Sequence, residues 1–197
     1  MAFYAYDGSE TAEDLEILMP LMDDIINGIA DTEALIIDIR NNSGGQDVLA
    51  LEIAGRFTNT EQLAFNTKAR DKDVFTNEYD VNVLPTGEAQ YTKPIYLLID
   101  NGVMSAAEIF TMIMKAFPHV TLIGESTFGI LSDAHSIVLP IGWEVTMSNE
   151  IRTDSEGNVF EGTGIPAEHI TQSLLPEDVL AGTDTAIEMA LSLISVN

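Results

Sequence analysis

Three short apolar runs alternate with helical patterns in this chain, and their order restricts the fold more than any other feature. The runs are ALIIDI at 34–39, PIYLLID at 94–100 and VTLIG at 120–124. Each is too short for a helix of its own and shows no polar alternation, which is typical of strands buried on both faces. Helical patterns follow the first two runs. This order predicts an α/β fold with a parallel sheet and crossover helices.

Helical spacing and turn signals assign most of the remaining chain. Apolar residues recur at helical spacing in SETAEDLEILMPLMDDIINGIADTE, QDVLALEIAGRF and GTDTAIEMALSLI, which predicts a helix in each segment. Residues 58–93 alternate weakly and contain proline and glycine, so we predict a strand or hairpin and a mobile loop there. The segment 135–162 carries β-branched runs separated by Gly and DSEGN, which predicts antiparallel hairpins toward the C-terminus.

The charge of the chain excludes several classes of partner. It contains 32 acidic and 8 basic residues, a net charge of −24. Nucleic acids and anionic membrane surfaces require clustered lysine and arginine, so neither is an expected partner. The acids are scattered along the chain, including the pairs Asp23–Asp24 and Asp71–Asp73, and we interpret them as a solvated surface. We therefore expect no metal site and no cofactor.

Length and cysteine usage limit the organisation and the chemistry. The 197 residues suit a single domain, predicted over residues 1–197, with its own apolar core. The chain has no cysteine, which excludes disulfides, thiolate metal sites and cysteine nucleophiles. No apolar run approaches the length of a membrane span, and no signal-peptide pattern opens the sequence.

Ser105 stands between the second apolar run and a helical pattern, and two interpretations of it remain open. SAAE is a capping box, in which the serine hydroxyl accepts from the helix and Glu108 reaches back to the serine N–H. The same position suits a nucleophile, because a helix N-terminus presents free N–H groups and the positive end of the helix dipole. Such N–H groups stabilise the oxyanion of acyl transfer.

Two glycines end the first apolar run, in DIRNNSGG. Glycine lets the backbone approach a ligand closely and direct an N–H into a cavity, with Asp38 and Arg40 placed to brace the turn. The alternative is an ordinary strand-to-helix turn. A phosphate-binding loop is not indicated, because no Lys-Ser or Lys-Thr pair follows the glycines.

Six motifs in succession resemble the C-terminal processing and tricorn-type serine peptidases, from Ala34 to the C-terminus. They are LIIDIRNNSGG, PIYLLIDNGVMSAAEIF, LIGESTFG, LPIGWEVTMSNEI, DSEGNVFEGTGIPAEHI and GTDTAIEMAL. The resemblance implies a crotonase- and ClpP-like spiral of parallel strands and helices. It also implies that Ser105 is the nucleophile and that the N–H groups of Gly45 and Ala106 receive the oxyanion. The implied substrate is an extended polypeptide, and the implied location is the periplasm or cell envelope.

The resemblance breaks where the family places its general base. Processing peptidases have a lysine just after the FG of the third motif, where this chain has Ile130. Tricorn-type enzymes use an early histidine, but no histidine precedes Ala34, and their glutamate matches Glu161 only loosely. The opening residues MAFYAYDGSE look like the tail of the family's first strand. We therefore expect that an N-terminal part, including any PDZ-like module, is absent, and that an upstream domain or an oligomer partner supplies the base.

Among the three histidines, His135 is the candidate general base, because the loop after TFG passes the nucleophile in the family and imidazole suits proton transfer near neutral pH. His119 and His169 are interpreted as surface residues. Three functions remain: a serine endopeptidase core, a peptide-binding or scaffold homologue that lacks its base, and a crotonase-like acyl-CoA enzyme. The last is disfavoured, since basic residues for a CoA phosphate are scarce.

Overall fold

The computed structural model describes residues 10–172 and 175–196, so the segment MAFYAYDGS, predicted above to belong to a strand, lies outside the described residues. The helices are α1 (Glu10–Ile29), α2 (Asp47–Ala54), α3 (Ala106–Lys115), α4 (Pro176–Ala181) and α5 (Thr185–Val196). The strands are β1 (Leu35–Asp38), β2 (Gln62–Asp71), β3 (Val74–Phe75), β4 (Tyr79–Val83), β5 (Ile95–Ile99), β6 (Val120–Gly124), β7 (Ala134–Val138), β8 (Glu144–Ser148), β9 (Glu150–Thr153) and β10 (His169–Ile170).

A parallel sheet with the strand order β1-β5-β6-β10 forms the centre of the fold. Each residue of β5 is buried, and α3 packs beside it with nine buried residues. Burial on both faces explains why β5 reads as an unbroken apolar run. The predicted parallel sheet and crossover helices are confirmed.

The first strand differs from its prediction. β1 pairs only with β5 among the described strands, and Leu35, Ile36 and Ile37 are partly exposed. The expectation of a strand buried on both faces was therefore wrong for β1. An edge strand of this sheet has the same apolar pattern in its sequence as a central strand, because helices cover the sheet faces at both positions.

A second, antiparallel sheet contains much of the segment that was predicted to hold a mobile loop. β2 pairs with β4 and β9 and, at its far end, with β3. The ten-residue length of β2 was not evident from its polar sequence, NTKARD, because partner strands and not apolar periodicity extend it.

One predicted C-terminal hairpin has formed and another has not. β7 and β8 pair with each other as an antiparallel hairpin, with His135 opposite Met147. β9 pairs with β2 instead of with a following strand. The DSEGN segment is a turn in which the Asp154 carboxylate accepts from the backbone N–H groups of Glu156 and Asn158. The finer comparison with a crotonase- and ClpP-like spiral stays a prediction.

An arginine joins the end of β1 to the last helix. The Arg40 guanidinium donates to Asp38 and, with two bonds of 3.0 and 2.8 Å, to Asp184. The Asp184 carboxylate also accepts from the N–H groups of Ala186 and Ile187 at the start of α5. These hydrogen bonds hold the pKa of Asp184 below its usual range, with Arg40 the largest cause. The predicted bracing by Asp38 and Arg40 is confirmed, and it extends to α5. Within the described residues, no helix is long and apolar enough to span a membrane.

His119 is not the surface residue that was predicted. Its ring stacks on Phe117 at a centroid distance of 5.9 Å, and its Nε2 is buried with no hydrogen-bond partner among the described residues. Burial lowers the pKa of His119 below its usual range. The unfolded chain therefore binds a proton here more readily than the folded chain does.

We expect the free energy of unfolding to fall as the pH drops below about 6.5, the ordinary histidine pKa, and His119 to account for much of this loss. Urea unfolding at pH 7.5, 6.5 and 5.5 measures the change. His119→Phe keeps the stacked ring and should reduce the change of the unfolding free energy with pH. His169→Gln should leave that pH dependence unchanged. An unchanged slope in His119→Phe would contradict the assignment.

Candidate functional site

The carboxyl ends of β1 and β5 bring two turns together at one edge of the central sheet. The Asp100 carboxylate, just after β5, accepts from the N–H groups of Asn41 and Gly102 at 2.8 and 2.9 Å. Met104 N–H donates to the Asn42 carbonyl at 3.0 Å. Parallel neighbours end at the same edge, so the glycine turn at residues 41–45 lies beside the segment that leads into α3.

Gly44 makes the closest approach between these two turns. A Cβ atom at Gly44 would lie 2.8 Å from the Cβ of Ser105, 2.6 Å from the Met104 oxygen and 2.9 Å from the Ala106 nitrogen. Real Cβ atoms do not come this close, and the φ angle of Gly44 is +95°. Only glycine allows the turn to pack against Ser105.

Ser105 has an unusual backbone conformation, with φ 53° and ψ −130°. Residues other than glycine rarely adopt a positive φ angle, and such conformations concentrate at functional sites. Ser105 precedes α3 in the N-cap position, yet its hydroxyl makes no capping hydrogen bond. An N-cap residue normally has extended angles that aim its side chain at the helix N–H groups, so the capping interpretation was wrong for this hydroxyl.

Two backbone N–H groups beside Ser105 have no acceptor within the described part of the chain. They belong to Ala106, the first residue of α3, and to Gly45, which follows the packed Gly44. Ala106 is fully buried and Gly45 is exposed. An N–H group without an acceptor at a helix N-terminus is suited to an anionic oxygen.

A backbone hydrogen bond from Ser105 is among the interactions of Glu108, as the capping box predicted, but the carboxylate also binds a distant loop. Its buried carboxylate accepts from the Thr127 hydroxyl at 2.5 Å and from the N–H groups of Gly129 and Ile130 at 2.8 and 2.7 Å. Burial raises the pKa of Glu108, although these donors oppose the shift. The carboxylate fixes the segment 127–130 against the first turn of α3, and the Ile130 carbonyl in turn accepts from Ser105 N–H at 2.9 Å.

Glu161 holds the next part of the same loop. Its carboxylate accepts from the N–H groups of Leu131 and Ser132 at 2.7 and 3.0 Å and from the Ser148 hydroxyl at 2.5 Å. Glu161 therefore contacts the loop after Ile130 and not Ser105 itself. Its expected auxiliary role is limited to this indirect contact.

Ile130, where the resemblance would place a lysine, lies next to Ser105. Ile130 is bonded to Ser105 through the backbone, and its side chain is 42% exposed. Three of the lysines are engaged elsewhere: Lys68 with Glu78, Lys93 with two backbone carbonyls in the turn after α1, and Lys115 with Asp154. None of these amines contacts Ser105.

The structure does not bring the candidate histidine to the nucleophile. His135 lies in β7 with an exposed side chain. The imidazole forms no hydrogen bond with any described residue. His169 lies in β10 beside Ile123 of β6 and is partly buried. The described chain therefore offers no histidine in hydrogen-bond contact with Ser105.

Several residues around Ser105 were not found from the sequence. Asp100 joins the two turns, and the contacts of Glu108 with residues 127–130 were not predicted. Arg152, in β9, was not considered, although it is 7% exposed and surrounded by carboxylates. The aspartate directly after a buried strand was a usable signal for Asp100. No local pattern indicates the partners of Glu108 or Arg152, because they come from distant segments. Among the described residues, no cluster of three or more histidine, aspartate or glutamate side chains is placed to hold a metal ion.

Comparison with known proteins supports the resemblance seen in the sequence. Residues 13–170 match the family model described as peptidase family S41. The carboxy-terminal-processing protease of Bartonella bacilliformis is 25% identical over 144 residues, which cover 72% of this chain and 32% of that protein. The carboxyl-terminal-processing protease of Synechocystis sp. is 24% identical over 167 residues, 83% of this chain and 37% of that protein. The chain thus spans about a third of the length of these relatives.

Solved structures share the fold. A candidate peptidase from Parabacteroides merdae superimposes with a TM-score of 0.83 at 28% identity, over 89% of this chain and 56% of that chain. The photosystem II D1 C-terminal processing protease gives a TM-score of 0.60 at 20% identity, over 92% of this chain and 45% of that chain. The mixed α/β architecture with a parallel sheet is common to them. With the family model matching most of its length, this chain belongs to peptidase family S41.

Proposed function

We propose that the chain is the core of a serine endopeptidase that cleaves extended polypeptides through an acyl-enzyme on Ser105. One observation carries the proposal. Ser105 sits at positive φ at the N-terminus of α3, packed against Gly44, with a hydroxyl that caps nothing. Strain of this kind persists only where the surrounding structure imposes it, and here it frees the hydroxyl for chemistry.

The proposed reaction uses the two free N–H groups as the oxyanion site. Ser105 Oγ attacks the carbonyl carbon of the peptide bond, and the carbonyl oxygen becomes an anion beside the N–H groups of Ala106 and Gly45. The C–N bond then breaks, and the amine leaves with a proton. Water attacks the resulting ester, and the second product leaves as Ser105 regains its proton. Each donor of this type contributes about a hundredfold or more to the rate in serine proteases.

Proton transfer is the weak step of this chain. A serine hydroxyl needs a general base to attack an amide, and Ile130 occupies the position that the family's lysine would take. We therefore propose low activity for the chain alone, with the base supplied by an upstream domain or by an oligomer partner.

The substrate proposal rests on the relatives. Two of them are named carboxy-terminal-processing proteases, which supports a polypeptide substrate bound near its C-terminus. We extend to this chain the periplasmic or envelope location that the family resemblance implies. A peptide-binding or scaffold function is the second candidate, and Ile130 is the observation that favours it.

A fluorophosphonate probe separates the two candidates, because it reacts covalently with nucleophilic serines. We expect slow labelling of the wild-type chain over hours at neutral pH, located at Ser105 by peptide mass spectrometry. Ser105→Ala should remove the label, and Ser126→Ala, at an exposed serine in the nearby loop, should retain it. Labelling that is absent in the wild type, or that persists in Ser105→Ala, would favour the binding function.

A further inference from the structure

The buried guanidinium of Arg152 links two segments of the chain that flank Ser105. Its side chain is 6% exposed and lies over the Phe65 ring at 5.4 Å. Its nitrogens contact the carboxylates of Asp47 at 2.6 Å, Glu150 at 2.9 Å and Asp133 at 3.3 Å. One cation thus faces three acids.

The acids come from segments that border Ser105 on different sides. Asp47 begins α2, two residues after Gly45. Asp133 ends the loop that starts at Ile130, whose carbonyl accepts from Ser105 N–H. Glu150 belongs to β9, as Arg152 itself does, and its carboxylate accepts from Asp133 N–H at 3.4 Å. The guanidinium therefore connects the helix that follows the glycine turn at residues 41–45 to the loop that carries Ile130.

We infer that Arg152 is a positioning residue for the Ser105 site, which sets the spacing between residues 42–46 and residues 130–133 and neutralises carboxylates that would oppose a developing oxyanion. This inference rests on the proposed function. A planar guanidinium can bind several carboxylates at fixed angles, whereas an ammonium cannot. The partners of Arg152 are thus held in register with one another.

The charge balance gives Arg152 a second consequence. Without it, Asp47, Asp133 and Glu150 would form an unbalanced negative cluster behind the Gly45 turn. Burial already raises the pKa of Asp47, and Arg152 is the main influence that opposes this. An oxyanion at Gly45 N–H would form less readily beside that cluster, most of all at a pH where the Asp47 carboxylate is ionised.

Site-specific labelling and amide hydrogen exchange on the full chain test the inference. We expect Arg152→Met to slow fluorophosphonate labelling of Ser105 by at least about tenfold at pH 8, with a smaller deficit at pH 5, where carboxylates begin to protonate. Arg152→Lys should lose rate without this pH dependence. Asp47→Asn added to Arg152→Met should recover at least about threefold of the rate, because it removes one unbalanced charge.

Arg56→Met is the matched control. Arg56 is 1% exposed and paired with Asp23 of α1, and its guanidinium forms no hydrogen bond or ion pair with residues 42–46 or 130–133. The Arg56→Met variant should have a lower melting temperature, yet its labelling rate per folded molecule should stay within about twofold of the wild type. If Arg152→Met behaves like Arg56→Met, with no pH-dependent deficit, the inference is overturned while the function through Ser105 stands.

Hydrogen exchange decides the inference even if wild-type labelling is too slow to follow. Arg152→Met should speed exchange in both 42–46 and 130–133 relative to Arg56→Met, with residues 79–83 unchanged as an internal reference. Equal exchange in the two variants at these segments rejects the positioning role. Labelling that persists in Ser105→Ala would instead reject the proposed function.

Discussion

Replacing Ile130 with lysine is expected to raise the rate of fluorophosphonate labelling at Ser105 by at least about a hundredfold, the usual minimum for a general base. Ile130 is joined to Ser105 by a backbone hydrogen bond of 2.9 Å, and its side chain is partly exposed. A lysine amine there can be neutral for part of the time and accept the Ser105 proton. The rate should increase with pH as this amine loses its own proton.

Two controls make the result specific. Ile130→Met changes the side chain without adding a base and should label as slowly as the wild type. Phe128→Lys adds a lysine two residues away, at a side chain that is 44% exposed, and should also have little effect. If Ile130→Lys remains folded but labels no faster than Ile130→Met, the site lacks more than a base, and the binding function gains support.

Replacing Glu108 with alanine is expected to lower the free energy of unfolding by about 3 to 5 kcal/mol, because three neutral donors packed inside the fold lose their acceptor. The buried carboxylate accepts from the Thr127 hydroxyl and from the N–H groups of Gly129 and Ile130. Alanine would leave all three donors without an acceptor, at about 1 to 3 kcal/mol each before relaxation. Urea unfolding at pH 7 measures the loss.

Glu16→Ala is the matched control, because Glu16 lies exposed on α1 and should change stability by no more than about 0.5 kcal/mol. If Glu108→Ala does not fold, Glu108→Gln still tests the network, since it retains one carbonyl acceptor and should lose less. A loss below about 1 kcal/mol in Glu108→Ala would show that the three hydrogen bonds do not hold the loop.

Glu108→Gln also has a pH signature. Burial raises the pKa of Glu108 above its ordinary value of 4.5, so the folded chain holds this proton more readily than the unfolded chain. The contribution of Glu108 to stability is then fully present below pH 4.5 and declines as the pH rises through the raised pKa. Glutamine does not titrate, and the stability difference between wild type and Glu108→Gln should vary with pH in that direction.

The central sheet and the helices beside it could be predicted from local pattern. β5 is buried on both faces, and burial on both faces requires the unbroken apolar run that the sequence shows. α5 shows its amphipathic spacing in the same way. β1 was assigned correctly as a strand but not as an edge strand, because helices cover its faces in either position. The length of β2 was missed, since its stability comes from β4 and β9 and not from its own polar residues.

Some features of the Ser105 region could likewise be predicted from the sequence, and others could not. The sequence alone determined that a serine stands where a helix follows a buried strand and that glycines follow another strand, because each is a property of neighbouring residues. That Ile130 takes the place of a lysine is implied by the family resemblance and stays a prediction. Only the tertiary structure decided that Ser105 has positive φ and a hydroxyl that caps nothing, and that Glu108 holds the 127–130 loop. It also decided that His135 makes no hydrogen bond to Ser105 and that Arg152 pairs with carboxylates from three segments. Those features depend on contacts between residues 19 to 105 positions apart, and such contacts produce no periodic pattern in the sequence.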